Sequence, residues 1–267
     1  MIPVLIPHYQ KVEQLSRCVL CLEEQSLPVE IFIRDNNHDN VYFTAAINEG
    51  IGKYLHQDCR YMIALNQDMY LEPQAVQEMV SFMDRHPRCG IGAPLQLRGQ
   101  DRDYCLCAGG LRAFPFGAHT HGPLSSFTRD EQIHWANGAC MILRKEMIHE
   151  IGLLDKNFVF IGSDSDYSFT ARARGWEVWR IVRARGVHEH GASGVSHNPE
   201  IELLKVNDML YFGRKWLTGQ TYHHLACQGS QSTPEAIAQV MEQLEHSRDH
   251  AIAAVEAGRQ HVKHEIV

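Results

Sequence analysis

Apolar runs alternate with amphipathic segments along the first third of the chain. Four short apolar runs have the length and composition of buried strands, at 2–6, 29–34, 61–65 and 90–95. Between them, apolar residues recur at helical spacing near 11–25, 41–55 and 73–86. Strands that alternate with helices predict an α/β fold, with a parallel sheet covered by helices on both faces. Right-handed crossovers would bring the carboxyl ends of these strands to one edge, where such sheets bind ligands.

The pattern is less regular in the rest of the chain. Residues 96–135 mix glycines, aromatics and charges without a clear period, and a connection of that length is typical of a functional segment. A strand at 139–143, a short helix, a second helix and a strand at 176–182 follow. Pro234 opens a long amphipathic helix. We therefore predict one main domain over 1–215 and a helical C-terminal extension over 216–267.

Composition and charge narrow the class of protein. A chain of 267 residues with 44% hydrophobic content can bury a substantial core, and a net charge of -7 without a basic stripe argues against nucleic-acid binding. No apolar run reaches the roughly 18 residues of a membrane span, and Met1 leads directly into a strand, so we expect a cytoplasmic protein. The C-terminal helix would pack on the main domain or on a second subunit, as in a homodimer. Alternatively, the C-terminal helix could contact the inner face of the membrane, but this alternative is disfavoured because the helix has few Lys or Arg on its polar face.

Polar residues follow the first three predicted strands directly. The turns are PHYQ at 7–10, DNNHDN at 35–40 and NQD at 66–68. Asp and Asn are also good turn and cap residues, which gives each of them a structural interpretation. That interpretation suits Asp68 poorly, because Glu72 is the residue that precedes the helix opened by Pro73. Carboxylates gathered at one sheet edge repel one another unless a cation or a donor lies among them, so the sequence predicts such a group near Asp68.

Two further pairs of residues are candidates for chemistry. Asp166 is well placed to cap the helix that begins near it, whereas Asp164 comes too early to be the obvious cap. Asp164 is therefore the stronger candidate for a general base, with Asp166 as the alternative. His188 and His190 flank a glutamate just after the predicted strand at 176–182, beside small residues. This arrangement indicates a ligand site more than a core position.

Six segments over 2–215 resemble motifs of the family 2 glycosyltransferases, in the family's order, and most closely those of its rhamnosyltransferase-like members. They are VLIPHYQKVEQLSRCVLCLEEQ, IRDNNHDN, AAINEGI, ALNQDMYLEP, the pair NGACMILRKEMIHEIGLLDKNF and SDSDYSFTARARGW, and VHEHGAS. Three positions depart from the family's pattern. Asn66 replaces the first Asp of the D-x-D turn, and Ser163 replaces the Glu that precedes the base. His38 replaces the Ser of the turn after the second strand.

The resemblance implies the GT-A fold, a Rossmann-like fold with a mixed, mainly parallel sheet and helices on both faces. Residues 1–95 would form its nucleotide-binding half and 96–215 its acceptor and catalytic half. The positions that match nucleotide-binding residues are Pro7, Tyr9, Asp35, Asn48 and Asn66. The positions that match metal ligands for Mn²⁺ or Mg²⁺ are Asp68 and His188, with His190 as the alternative to the histidine. Asn137 and Gly138 match the acceptor and sugar side, and Asp164, or alternatively Asp166, matches the base.

The activity that the resemblance implies is inverting, metal-dependent transfer from a nucleoside-diphosphate sugar to a glycan or lipid-linked acceptor. Two other classes stay open at this point. One is a non-catalytic protein of the same fold that binds nucleotide sugars or glycans, which the joint presence of Asp68, Asp164 and His188 disfavours. The other is a sugar nucleotidyltransferase, which would carry a Gly-rich basic loop after the first strand. PHYQKVEQL has neither the glycines nor the basic cluster.

Overall fold

The computed structural model describes residues 1–110, 119–189, 198–217 and 234–264. The strands are β1 (Ile2–His8), β2 (Val29–Asp35), β3 (Tyr61–Leu65), β4 (Met69–Leu71), β5 (Cys89–Arg98), β6 (Tyr104–Cys107), β7 (Gly122–Pro123), β8 (Glu131–Gln132), β9 (Cys140–Arg144) and β10 (Glu177–His188). The α-helices are α1 (Val12–Glu23), α2 (Tyr42–Tyr54), α3 (Ala75–Arg85), α4 (Lys145–Ile151), α5 (Ser163–Ala173), α6 (Pro199–Phe212) and α7 (Pro234–His264). A 3-10 turn spans Leu124–Ser126, and a π-helical turn, Gly213–Leu217, continues α6.

The main sheet has the strand order β2-β1-β3-β9-β5-β10-β4. β1 runs parallel to β2 and to β3, and β5 runs parallel to β10, whereas β9 lies antiparallel between β3 and β5. The predicted α/β fold with a mixed, mainly parallel sheet is therefore confirmed. The carboxyl ends of β1, β2, β3, β5 and β10 and the first residue of β9 lie at one edge of the sheet, here called the rim.

Both faces of the sheet are covered. All five residues of β3 are buried, because neighbouring side chains point to opposite faces and each face has its own helices. Ile63 and Leu65 belong to a core with residues of α1 and α3, while Met62 and Ala64 belong to a core with residues of α2, α4 and α5. This double burial explains why the strand is a continuous apolar run, and it holds the end of β3 firmly at the rim.

Some predicted boundaries were wrong. β5 runs to Arg98 and β10 to His188, beyond the predicted ends at 95 and 182, because the two strands pair again after an irregularity between Ile181 and Arg185. Strand β4 was not predicted. Helix α3 begins at Ala75, not at Pro73, and the Ala75 N–H donates to the Glu72 carbonyl ahead of it. His188 is therefore the last residue of a strand and does not follow one.

The predicted C-terminal helix is confirmed, and it packs on the main domain. Ile237 of α7 shares a core cluster with Phe212 of α6 and Phe169 of α5, and Trp216 joins them from the π-helical turn. The boundary drawn between 215 and 216 falls inside that turn and stays a prediction, as does a second subunit. Within the described parts of the chain, no helix combines the length and the apolar character needed to cross a membrane.

Candidate active site

Asp68 and His188 meet at the rim although they are distant in sequence. Asp68 lies in the turn between β3 and β4, and the pairing of β4 with β10 sets Met69 opposite His188. Asp68 Oδ1 and His188 Nε2 are 3.5 Å apart, and the two residues are only 6% and 7% exposed. The Glu189 N–H also donates to the Asp68 carbonyl at 3.0 Å, which joins the two backbones at this point.

This pair fits a hard divalent cation. A carboxylate oxygen and an imidazole nitrogen are both ligands that Mn²⁺ accepts, and Mg²⁺ in particular is held by one or two protein groups together with phosphate oxygens and water. The described residues contain no group of three or more His, Cys, Asp or Glu side chains that could hold a metal. Within the described residues, a cation held by Asp68 and His188 would therefore take its remaining ligands from a substrate or from water. His190, the alternative ligand, lies outside the described residues.

Asp164 lies in the first turn of α5, partly buried, with each carboxylate oxygen held by a backbone donor. Oδ2 accepts from the Gly138 N–H at 2.7 Å and Oδ1 accepts from the Ser165 N–H at 2.7 Å. Burial raises the pKa of Asp164 above its ordinary value, and the bonds from the Gly138 and Ser165 N–H groups act in the opposite direction. A carboxylate that is oriented and has a raised pKa suits a general base.

Asp166 does not cap α5, so that prediction was wrong. The residue before the helix is Gly162, at φ 83°, and no side chain caps the helix start. Asp166 is buried inside the first turn, where its Oδ1 accepts from Trp216 Nε1 at 2.7 Å and pairs with Lys215 Nζ at 2.8 Å. Burial raises the pKa of Asp166, and Lys215 opposes that rise. This face of α5 packs on the segment after α6, and Asp166 connects the two through Lys215 and Trp216.

The Asn137-Gly138 turn lies between the Asp68–His188 pair and Asp164. Asn137 Oδ1 accepts from the Ala139 N–H and from Gln96 Nε2, each at 3.0 Å, and Gln96 in turn contacts His188. The next residue, Gly138, donates its N–H to Asp164. A side chain at 138 would place its Cβ 3.3 Å from Asp164 Oδ2, so a glycine lets the turn approach the carboxylate. The turn thus contacts Asp164 directly and is linked to His188 through Gln96.

The residues predicted for the nucleotide lie on the β1–β2 side of the rim. Pro7 is in β1, and Tyr9 follows it with 46% exposure. The side chain of Gln67 holds the Tyr9 backbone, accepting from its N–H at 2.9 Å and donating to its carbonyl at 3.1 Å. Asp35 ends β2, is exposed, and accepts from the Asn37 N–H at 2.9 Å, which lowers the pKa of Asp35. Tyr9 and Asp35 are thus both exposed, and Gln67 links Tyr9 to the turn that carries Asp68.

Two other predicted residues have different surroundings. The Asn48 side chain uses both ends of its amide on the Leu154 backbone, donating to the carbonyl at 2.9 Å and accepting from the N–H at 3.0 Å. This contact ties α2 to the segment after α4, and it gives no support to a nucleotide role, which stays a prediction. Asn66 lies in the turn before Asp68, where its N–H donates to the Ala139 carbonyl at 2.9 Å.

Sequence reasoning missed Gln96 and Gln67, which connect the other residues of the site. Gln96 is 2% exposed inside the apolar stretch of β5. An amide at such a position needs hydrogen-bond partners, and this requirement was the signal in the sequence. Gln67 was visible as the middle residue of the NQD turn, but its contact with the Tyr9 backbone depends on the tertiary structure.

No protein-family model matches the chain. The O-antigen biosynthesis protein RfbC of Myxococcus xanthus is 28% identical to it over 163 residues, which are 58% of this chain and 13% of that protein. The chain thus corresponds to a small part of this relative.

Solved glycosyltransferase structures have a similar fold. GalNAc-T7 with UDP, GalNAc and Mn²⁺ matches with a TM-score of 0.58 at 11% identity, over 95% of this chain and 57% of that one. The mannosyltransferase PcManGT from Pyrobaculum calidifontis, in complex with GDP-Man and Mn²⁺, matches with a TM-score of 0.51 at 12% identity. This match covers 96% of this chain and 75% of PcManGT. TarS of S. aureus matches with a TM-score of 0.51 at 11% identity, over 82% of this chain and 40% of TarS. The resemblance to glycosyltransferases and the GT-A fold that it implied are confirmed at the level of the fold.

Proposed function

We propose that the chain is an inverting, metal-dependent glycosyltransferase that moves a sugar from a nucleoside-diphosphate sugar to an acceptor hydroxyl. The observation that carries the proposal is the placement of the buried Asp68–His188 pair and of the oriented Asp164 carboxylate on either side of one turn at the rim. GalNAc-T7 and PcManGT, which share the fold, were solved with UDP or GDP-Man and with Mn²⁺. Those ligands support the class of donor and the divalent cation.

The cation ligands of this chain are Asp68 and His188. A bound Mn²⁺ or Mg²⁺ would offset the negative charge that grows on the departing diphosphate. Tyr9 and Asp35 lie on the nucleotide side, where an exposed ring and an ionised carboxylate can stack on a base and accept from sugar hydroxyls. The bond from the Asn37 N–H lowers the pKa of Asp35 and so favours its ionised form.

Asp164 removes the proton from the acceptor hydroxyl. The acceptor oxygen forms its bond to the anomeric carbon while the bond from that carbon to the diphosphate breaks on the opposite face, which inverts the configuration. The proton ends on Asp164, and the diphosphate leaves with the bonding electrons. Backbone N–H groups of Gly138 and Ser165 keep the carboxylate in one orientation for this transfer. Asp166 is less suited to the role because its charge is paired with Lys215.

The acceptor side of the proposal is a glycan or a lipid-linked sugar, which makes polysaccharide biosynthesis at the cytoplasmic face of a membrane the expected setting. The name of the Myxococcus relative, an O-antigen biosynthesis protein, supports this choice. Contact with a membrane or with a second subunit would involve α7, whose inner side packs on α6.

A panel of donors tests the proposal and separates the alternatives. The protein is incubated with Mn²⁺ and with UDP-, dTDP-, GDP- or CDP-sugars, with and without glycan acceptors. Release of a nucleoside diphosphate identifies a transferase, and release of pyrophosphate identifies a nucleotidyltransferase. Binding without either product identifies a binding protein, and a ligand at a hundred times its Kd stabilises the fold by about 2.7 kcal/mol, which a thermal shift detects.

The cation site is tested by Asp68→Ala, with Asp58→Ala as the matched control. Asp68 lies at the rim, whereas Asp58 is exposed in the turn that leads into β3 at the opposite edge. We expect calorimetry to show that Asp68→Ala loses Mn²⁺-dependent binding of the nucleoside diphosphate, while Asp58→Ala binds as the wild type does. Undiminished Mn²⁺-dependent binding by a folded Asp68→Ala protein would remove Asp68 from the site.

A further inference from the structure

A chain of hydrogen bonds runs from a backbone N–H group to His188. The Ala139 N–H donates to Asn137 Oδ1 at 3.0 Å, and this contact identifies that atom as the oxygen, because an amide nitrogen cannot accept. The same oxygen lies 3.0 Å from Gln96 Nε2, which therefore donates to it. The other end of this amide, Gln96 Oε1, can only accept, and it lies 3.0 Å from His188 Nδ1.

The donor and acceptor roles in this series of hydrogen bonds determine which ring nitrogen of a neutral His188 carries the hydrogen. Since Gln96 Oε1 accepts, Nδ1 is the protonated nitrogen, and the lone pair of the neutral ring is then on Nε2. Nε2 faces Asp68 Oδ1 at 3.5 Å. An acceptor nitrogen and a carboxylate oxygen repel each other at this distance, whereas a divalent cation would be attracted by both.

We propose that Gln96 is a positioning residue that holds His188 in the tautomer competent to bind the cation. The proposal rests on the metal-dependent transfer proposed above. Without Gln96, the neighbouring Asp68 carboxylate would favour the other tautomer, in which Nε2–H donates to it. A cation would then have to displace that hydrogen before it could bind both groups. Partners of this kind, which bind the second nitrogen of a metal-ligating histidine, commonly tune metal affinity.

The surroundings of Gln96 leave its amide one satisfactory orientation. The residue is buried near the end of β5, where it pairs with Gly186 of β10 on one side and with Cys107 of β6 on the other. The strand backbone thus fixes where the side chain begins. A reversed amide would set Oε1 against Asn137 Oδ1, and this contact between two acceptors would be repulsive whichever ring nitrogen carries the hydrogen.

The first measurement is the tautomer of His188 in the metal-free protein. Two-bond ¹⁵N–¹H spectra of the histidine rings, recorded at an alkaline pH at which the rings are neutral, distinguish the two tautomers, and His188→Gln assigns the signal. We expect Nδ1–H in the wild type and Nε2–H in Gln96→Leu. Asn137→Asp keeps an acceptor oxygen for Gln96 and should retain the wild-type tautomer.

The second measurement is the Kd of Mn²⁺, determined by calorimetry in the presence of whichever nucleoside diphosphate the wild type binds. Gln96→Leu should raise it by about 10- to 100-fold, as loss of a partner of a metal-ligating histidine typically does. Gln25→Leu is the matched control, because Gln25 is also a buried amide, bonded to Cys21, Glu72 and Val76 between α1 and α3. Its Kd for Mn²⁺ should equal that of the wild type.

The outcomes separate this inference from the proposed function. An Nε2–H tautomer in the wild type overturns the role of Gln96, as does a Gln96→Leu protein with the wild-type tautomer and an unchanged Kd. In both cases a wild type that binds Mn²⁺ and releases nucleoside diphosphate keeps the proposed function. A wild type that binds no Mn²⁺ overturns the metal-dependent function and this inference together, and the wild-type titration alone reveals it.

Discussion

Replacing Asp164 by Asn tests the proposed base most directly. Asn is nearly the same size as Asp, but its amide does not take up a proton at neutral pH. Loss of a general base costs about 10²- to 10⁴-fold in rate. At 1.36 kcal/mol for each factor of ten, the barrier rises by about 3 to 5 kcal/mol. We expect kcat to fall by that factor while Mn²⁺-dependent binding of the nucleoside diphosphate stays near the wild-type value, because Asp68 and His188 are unchanged.

The same substitution has a structural cost that the contacts define. Both oxygens of Asp164 accept from backbone N–H groups, those of Gly138 and Ser165. In the Asn variant one oxygen becomes an NH₂ group, which faces one of those donors and leaves it without an acceptor. A buried donor left unsatisfied costs about 1 to 3 kcal/mol. The melting temperature should therefore fall by several degrees even though the site retains its shape.

Asp208→Asn separates the chemical effect from the structural one. Asp208 is buried, and its oxygens likewise accept from backbone N–H groups, those of Val159, Phe160 and Ile161 at 2.6 to 3.0 Å. This variant should lose a similar amount of stability and keep kcat within a factor of ten. Release of the nucleoside diphosphate and thermal melts measure both quantities. Equal losses of turnover in the two variants, or an Asp164→Asn protein with wild-type turnover, would refute the assignment of the base.

Other measurements test the remaining roles. Burial raises the pKa of Asp164 above its ordinary value of 3.8, and the ionised form of Asp164 is the base. The value of kcat/KM should therefore rise with pH, with the midpoint of the rise above pH 3.8. A midpoint at or below pH 3.8 would contradict this assignment. His188→Ala should abolish the Mn²⁺ dependence and His190→Ala should not, and the opposite result would move the ligand by two residues. Asp166→Asn should keep turnover within a factor of ten, since its carboxylate holds Lys215 and not the substrate. Lys215→Met should lower the free energy of unfolding, measured by urea denaturation, by roughly 3 kcal/mol. This value is at the low end of the range for a broken buried ion pair, because the Lys215 side chain is 31% exposed. Unchanged stability would refute the pairing.

Hydrophobic periodicity predicted most of the elements and the position of the rim. The strands β1, β2 and β3 and the helices α1 and α2 lie within two residues of their predicted bounds. Periodicity predicts them because each face of a strand or helix must meet an apolar layer, and this requirement is local. Asp68 after β3 and Asp164 at the start of α5 were identified for the same reason: polar residues at the ends of buried elements are visible in the order of residues alone.

Long-range strand pairing and packing set which of these side chains meet. Asp68 faces His188 because a short strand that was not predicted, β4, pairs with β10, and no local pattern encodes that pairing. Asp166 binds Lys215 instead of capping its helix, and Gln96 joins His188 to Asn137 inside what reads as an ordinary apolar strand. The partner of a buried polar group is set by strand register and by the packing of distant segments. The sequence shows that such a group needs a partner, and the fold selects it.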